Sequence, residues 1–119
     1  MAVKLFDSEL KVMEILWENG DTTAKQLAEI LGEKTGWNKT TTYTVIKRCI
    51  EKAVIERREP KFICRPLVTM EDARIFETAE LIDKMYDGAA DKLVASMLEG
   101  NFLSEEELKR LKQFVRELK

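Results

Sequence analysis

The chain has 119 residues, 45% of them hydrophobic, which is enough for one domain with a real core or for a domain with a small appendage. Histidine is absent, so the usual zinc sites and the Ser-His and Cys-His catalytic arrangements are excluded, and we predict no metal, no cofactor and no enzymatic activity. The formal net charge of −2 is unevenly distributed, because residues 39–65 carry eight basic and three acidic side chains while the flanking segments are net acidic.

Three short helices are predicted in the first part of the chain. The first begins near Asp7, its expected N-cap, and carries an apolar stripe at helical spacing. The second follows Thr22 or Thr23, and the third covers about 39–52 behind Asn38, a good N-cap. Three short helices with brief connections, the last following a turn, are typical of a helix-turn-helix unit.

The third helix is unusually rich in threonine, which is a mediocre helix former. On a helical wheel the expected buried stripe consists of Thr42, Val45, Ile46, Cys49, Ile50 and Ala53. The opposite face holds Thr40, Thr44, Lys47 and Glu51, flanked by Thr41, Tyr43 and Arg48. Exposed hydroxyls at the N-terminal end of such a helix can bond phosphates or base edges, and threonine methyl groups can touch the methyl group of thymine.

A short basic β-hairpin is predicted after the third helix, and three helices followed by such a hairpin form a winged helix. Its cations are either an ordinary solvated edge or phosphate contacts, and we prefer the second interpretation. Residues of the third helix and of the wing are expected to contact DNA. They are Lys39, Thr40, Thr41, Tyr43, Thr44, Lys47, Arg48, Arg57, Arg58 and Lys61.

Three further amphipathic helices are predicted beyond the hairpin, so the mainly α fold divides into a winged helix-turn-helix domain over 1–69 and a helical region over 70–119. These helices carry more apolar surface than a complete winged helix needs covered, which indicates a protein interface. The residues expected to form this interface are Ile75, Ala79, Ile82, Tyr86, Leu93, Met97, Leu98, Leu108, Leu111, Val115 and Leu118.

The sequence shows no sign of export or membrane insertion. Its first ten residues lack the apolar core of a signal peptide, and no apolar run approaches the roughly 18 residues of a membrane span. Cys49 and Cys64 lie within helical or strand-like patterns, which suits a reducing compartment. We therefore expect a cytoplasmic protein with no membrane partner.

Four stretches of the chain are distinctive: ELKVMEILWENG in the first helix, GWNKTTTYTVIKRC in the third, KFICRPLVTMED from the wing onward and ELIDKMYDGAADKLV farther on. They resemble the penicillinase-repressor (BlaI/MecI-like) family of bacterial transcription regulators. Trp37 followed by Thr41, Thr44 and Arg48 is the most specific part. The resemblance implies an intertwined homodimer in which each subunit presents a winged helix to one half of a DNA dyad.

Three departures from the family pattern concern the end of the third helix and regulation. Ala53 stands where glycine is usual, so this position is either helical or strained. In β-lactam-responsive members a sensor-activated protease cuts an Asn-Phe bond in the fifth helix, and the corresponding bond here is Ser96–Met97. Copper-responsive relatives end in a cysteine cluster, and the lack of any cysteine after Cys64 argues against copper sensing.

The sequence therefore predicts a dimeric, sequence-specific DNA-binding transcriptional repressor of a palindromic operator, with release by proteolysis in the dimerisation region. The alternative is a winged-helix protein-interaction module whose basic face meets an acidic protein, without sequence-specific DNA binding. Salt dependence combined with preference for one palindrome separates the two.

Overall fold

A computed structural model describes residues 4–118 of the chain. The elements in this range are α1 (Asp7–Asn19), β1 (Thr22–Thr23), α2 (Ala24–Thr35), α3 (Lys39–Glu51), β2 (Ile55–Arg58), β3 (Ile63–Pro66), α4 (Met70–Tyr86), α5 (Ala90–Glu99) and α6 (Glu105–Glu117). The predicted mainly α architecture, a winged helix-turn-helix followed by three helices, is confirmed.

The chain divides into two compact units between Glu77 and Thr78, a position inside α4. The first two turns of α4 thus belong to the unit that contains the winged helix. The boundary between residues 69 and 70, predicted from the sequence, separates a DNA-binding domain from a dimerisation domain and stays a prediction.

Capping residues fix where the first two helices begin. Phe6 is the N-cap of α1, so the prediction that Asp7 caps this helix was wrong, and Asp7 is instead its first residue. The side chain of Glu9 accepts a hydrogen bond from the Phe6 backbone N–H at 2.9 Å, which satisfies one of the free donors of the first turn. At α2, Thr23 and Gln26 form a reciprocal capping box, as each side chain accepts from the other backbone N–H.

The core of the first unit lies where α1, α2 and α3 pack around the small sheet. Burying each of its larger side chains contributes about 1.5–3 kcal/mol to folding. The largest fully buried apolar side chains are Met13, Leu16, Leu27, Leu31, Ile46, Ile55, Val12 and Val54.

The sheet has three antiparallel strands in the order β1-β3-β2. The hairpin of β2 and β3 confirms the predicted wing, with Arg58 opposite Ile63 and Ile55 opposite Pro66. The two-residue strand β1, which pairs Thr22 with Cys64, was not predicted. It ties the start of α2 to the inner strand of the wing.

The end of α3 differs from the expected continuous stripe. Thr42, Val45, Ile46 and Cys49 are buried as predicted, but Ala53 is exposed and lies outside the helix. Its φ of +62° is left-handed, and the N–H groups of Ala53 and Val54 donate to the carbonyls of Ile50 and Cys49. This is a Schellman motif with alanine at the position that favours glycine.

Candidate nucleic-acid interface

The N-terminal end of α3 presents an exposed polar face. Asn38 caps the helix, because its side chain accepts a hydrogen bond from the Thr41 N–H at 2.8 Å. Because the opposite face of α3 packs into the core, this polar face is oriented toward solvent. The exposed residues are Lys39, Thr40, Thr41, Thr44 and Lys47, all of which the sequence analysis assigned to DNA contact.

A shallow hollow lies on this exposed face, which we call the α3 hollow. It is open to solvent, its walls are mainly apolar, and it is lined by Lys39, Thr40, Tyr43, Thr44 and Lys47. The Thr44 hydroxyl donates to the Thr40 carbonyl at 2.9 Å. The side chain of Thr44 is therefore held by its own helix.

The wing is joined to α3 by aromatic side chains. The rings of Tyr43 and Phe62 meet edge to face with centroids 5.9 Å apart. The guanidinium of Arg57 lies 3.7 Å from the Phe62 centroid, and the Lys39 ammonium lies 5.6 Å from that of Tyr43. Aromatic pairs and cation–π contacts each contribute about 0.5–1.5 kcal/mol. The contacts thus give the wing a defined position against α3.

The predicted basic residues of the wing are exposed but have acidic neighbours. Arg57 forms an ion pair with Glu59, and Arg58 forms one with Glu56 at 2.8 Å. Lys61 is exposed at the tip. Exposed ion pairs of this kind contribute only about 0–1 kcal/mol, so they can be exchanged for contacts with another anion.

Arg48 occupies a different position from the other predicted contact residues. Its guanidinium donates to the Ser8 hydroxyl at 3.0 Å and lies 4.0 Å from the Glu9 carboxylate. It is thus held beside the start of α1 and does not line the α3 hollow, although about half of its side chain is exposed.

Glu9 is a buried charged residue whose role the sequence analysis did not predict. The Lys52 ammonium lies 2.6 Å from Glu9 Oε1, while Oε2 has no hydrogen-bond partner. Burial raises the pKa of Glu9, but the hydrogen bonds from Lys52 and Phe6 and the charges of Lys52 and Arg48 lower it, and the net effect is a lowered pKa. The sequence signal for Glu9 was only that it is an acidic residue in the first turn of a helix. Its burial and pairing could not be predicted from that signal, because its partners Arg48 and Lys52 lie 39 and 43 residues away.

The two cysteines lie within the core and not at the exposed face. Burial raises the pKa of Cys49 to about 12 and that of Cys64 to about 11, so both thiols are protonated at neutral pH and poorly nucleophilic. Residues 4–118 contain no group of three or more cysteine and acidic side chains arranged to hold a metal ion.

The helices α4, α5 and α6 carry a large apolar surface. None of their described residues is buried, and several of the predicted dimer residues are strongly exposed, including Ile75, Val115 and Leu118 at 62%, 59% and 75%. Ala79, Met97 and Leu98 are also exposed, whereas Ile82, Tyr86, Leu93, Leu108 and Leu111 are half-buried. Sequence analysis missed the exposed Leu81, Met85, Val94, Phe102 and Phe114.

The candidate cleavage bond lies within α5. Ser96 is half-buried, and its hydroxyl accepts a hydrogen bond from the Tyr86 hydroxyl at 3.0 Å. The Ser96 carbonyl accepts from the Gly100 N–H. The Ser96–Met97 bond is therefore part of a folded helix. None of the helices in residues 4–118 is long and apolar enough to cross a membrane.

Solved structures share the winged-helix fold of this chain. The DNA-binding domain of the repressor BlaI superposes with a TM-score of 0.55 and 22% identity, covering 60% of this chain and 93% of that domain. Monomeric BlaI from Bacillus licheniformis in complex with the blaP half-operator gives a TM-score of 0.53 at 22% identity, with 60% and 90% covered.

Relatives with similar sequences cover nearly the whole chain. The penicillinase repressor of Bacillus licheniformis is 25% identical over 118 residues, which is 98% of this chain and 92% of that protein. The methicillin resistance regulatory protein MecI of Staphylococcus aureus (strain N315) is 26% identical over 114 residues, with 94% and 93% covered. The penicillinase repressor family model matches residues 5–117. The chain therefore belongs to the penicillinase repressor family.

Proposed function

We propose that this chain is a homodimeric transcriptional repressor that binds a palindromic DNA operator. The exposed N-terminal face of α3, flanked by Lys39 and Lys47 and joined to a basic wing, is the observation that carries the proposal. The BlaI–half-operator complex and the repressor names of the relatives support it. A repressor of this kind acts at the chromosome, so we place it in the bacterial cytoplasm, and it needs neither cofactor nor catalytic activity.

The residues of α3 are proposed to enter the major groove. The N-terminal residues of a recognition helix contact base edges there. We assign Thr41, Thr44 and Lys47 to base contact and Lys39 to a phosphate. Thr40 and Tyr43 complete the surface that lies against the DNA.

The remaining proposed contacts are made to the phosphate backbone and carry no sequence information directly. Arg57, Arg58 and Lys61 fulfil this role in the wing, where the weak pairs with Glu59 and Glu56 are exchanged for phosphates. Arg48 reaches a phosphate from beside Ser8.

Selection of bound duplexes from random DNA tests the proposal. We expect one palindrome to be enriched and to bind at least 10³-fold more tightly than a scrambled duplex, with affinity that falls steeply as salt is raised. Equal binding to all sequences, or binding only to acidic proteins, would support the protein-interaction alternative and contradict the repressor assignment.

The homodimer is proposed to form through the apolar faces of α4, α5 and α6. Their exposed side chains are numerous for a soluble monomer, and a second copy related by a two-fold axis covers the same patch on both subunits. Linking two DNA-binding domains in one dimer increases the affinity for a palindrome by about 10²–10⁴-fold over that of a single domain.

Val115→Glu places a charge on this surface, and Gln113→Glu is a matched control on the same helix. We expect V115E to sediment as a monomer and to bind the full operator about 10²–10⁴-fold more weakly, with half-site affinity unchanged. Q113E should remain dimeric with normal operator affinity. A dimeric V115E with full affinity would contradict this interface.

Release by a sensor-activated protease that cuts Ser96–Met97 is the regulatory part of the proposal. A protease needs an extended segment, so α5 must unwind before the bond is cut, and loss of the following residues removes part of the dimer surface. Mass spectrometry of the chain from induced cells checks this. A fragment ending at Ser96 is expected, whereas release of the operator by an uncut chain would refute proteolytic control.

A further inference from the structure

The side chain of Thr44 has its only hydroxyl hydrogen committed to its own helix. This hydroxyl donates to the Thr40 carbonyl at 2.9 Å, and a threonine hydroxyl has a single hydrogen to donate. In this conformation Thr44 therefore has no donor for a base edge. The hydroxyl oxygen can still accept a hydrogen bond, but the only group of Thr44 that suits apolar contact is its methyl group, and Thr44 lines a hollow whose walls are mainly apolar.

Among the four bases, thymine alone presents a methyl group in the major groove, while the other edges present hydrogen-bond donors and acceptors. A mainly apolar hollow therefore suits the methyl group of thymine better than the polar edges of the other bases. Lys39 and Lys47 also line this hollow, and the charge of Lys39 is complementary to a phosphate beside the groove.

We propose that the α3 hollow receives the C5-methyl group of one thymine in each half-site, and that Thr44 reads this base through its methyl group and not through its hydroxyl. The inference rests on the proposed function, since it names the base class that the same surface recognises. It makes Thr44 a specificity-determining residue.

The test removes the methyl group from the DNA and from the protein separately. In the operator selected from random duplexes, each thymine is replaced symmetrically in both half-sites by deoxyuridine, which lacks only the methyl group, and the affinity of the full-length dimer is measured at fixed salt. Thr44→Val keeps a methyl group and removes the hydroxyl, whereas Thr44→Ser does the reverse. Thr35→Ser is the matched control, because the Thr35 hydroxyl makes the same type of bond, to the Leu31 carbonyl.

We expect one thymine at which deoxyuridine weakens wild-type binding by about fourfold per half-site, the effect of one buried methyl-sized group. T44V and T35S should show the same loss at that position, and T44S should show none. Circular dichroism verifies that each variant is folded, and Thr44→Ala replaces T44S if the serine variant is not.

Two results would overturn the inference while leaving the proposed function intact: T44S that still distinguishes thymine from uracil at each position where the wild type does, or T44V that no longer does so at any. The inference is also overturned if no thymine of the operator can be replaced by deoxyuridine with a loss of wild-type binding. By contrast, a wild-type chain that binds its selected duplex no better than a scrambled one refutes the proposed function itself.

Discussion

Substitution of Glu9 by glutamine tests whether the buried ion pair between α1 and α3 stabilises the winged helix. Glutamine keeps the volume of Glu9 and can still accept the Phe6 hydrogen bond, so the change removes mainly the negative charge beside Lys52. A hydrogen bond to a charged group contributes about 1.5–3 kcal/mol. The lower desolvation cost of a neutral amide offsets part of that value. We therefore expect E9Q to lower the free energy of unfolding by about 1–2 kcal/mol at pH 7.

The effect of E9Q should depend on pH with a defined sign. Because the folded pKa of Glu9 is lowered below its ordinary value of 4.5, the ionised carboxylate stabilises the fold above about pH 4.5. This stabilisation is lost as pH falls through the folded pKa. The difference between wild type and E9Q should thus be constant near neutrality and shrink on acidification below pH 4.5.

Urea unfolding at pH 7, 5 and 3.5, with all variants at the same chain concentration, measures the difference. Glu14→Gln is the matched control, since Glu14 is exposed on the same helix, and it should change stability by less than about 0.5 kcal/mol. An E9Q variant as stable as wild type at pH 7, or one whose deficit is unchanged at pH 3.5, would refute the reasoning.

Three further predictions concern the end of α3 and the wing. Ala53→Gly should stabilise the chain by about 0.5–1 kcal/mol, because glycine adopts the left-handed conformation without strain and its larger loss of entropy on folding offsets only part of that gain. The expected result is a higher urea midpoint, and a lower midpoint contradicts this. Arg57→Gln should weaken binding to all duplexes and reduce the salt slope by about one unit, whereas a changed base preference would show that the wing reads sequence. Phe62→Leu removes the ring that meets Tyr43 and Arg57, so specific and non-specific affinity should fall together in titrations on selected and scrambled duplexes; unchanged affinity for both would show that the ring does not position the wing.

The helices and the hairpin could be predicted from the sequence because each leaves a local signal. Helical spacing identified the buried face of α3, and Asn38 marked a helix start that the structure confirms. The strand β1 left no such signal, since two threonines form a strand only when Cys64 and Ile63 lie beside them. A two-residue strand is a consequence of tertiary packing.

The candidate interface was predictable in its composition but not in its internal contacts. The exposed side of α3 follows from periodicity, whereas the link from Tyr43 to Phe62 depends on how the wing folds back. The position of Arg48 depends in the same way on Ser8, which lies 40 residues earlier. Distance along the sequence hides such pairs, because nothing in either local pattern specifies the other.

The threonines of α3 show where residue type alone stops being informative. Thr42 is buried, with its hydroxyl 3.4 Å from the Asn38 carbonyl, and Thr44 is exposed, with its hydroxyl 2.9 Å from the Thr40 carbonyl. A hydrogen bond to the carbonyl four residues earlier lets a polar side chain lie in the core without an unsatisfied group. On the exposed face the same bond withdraws the donor from any ligand. One local geometry thus gives two neighbouring threonines opposite roles, and only their direction relative to the core distinguishes them.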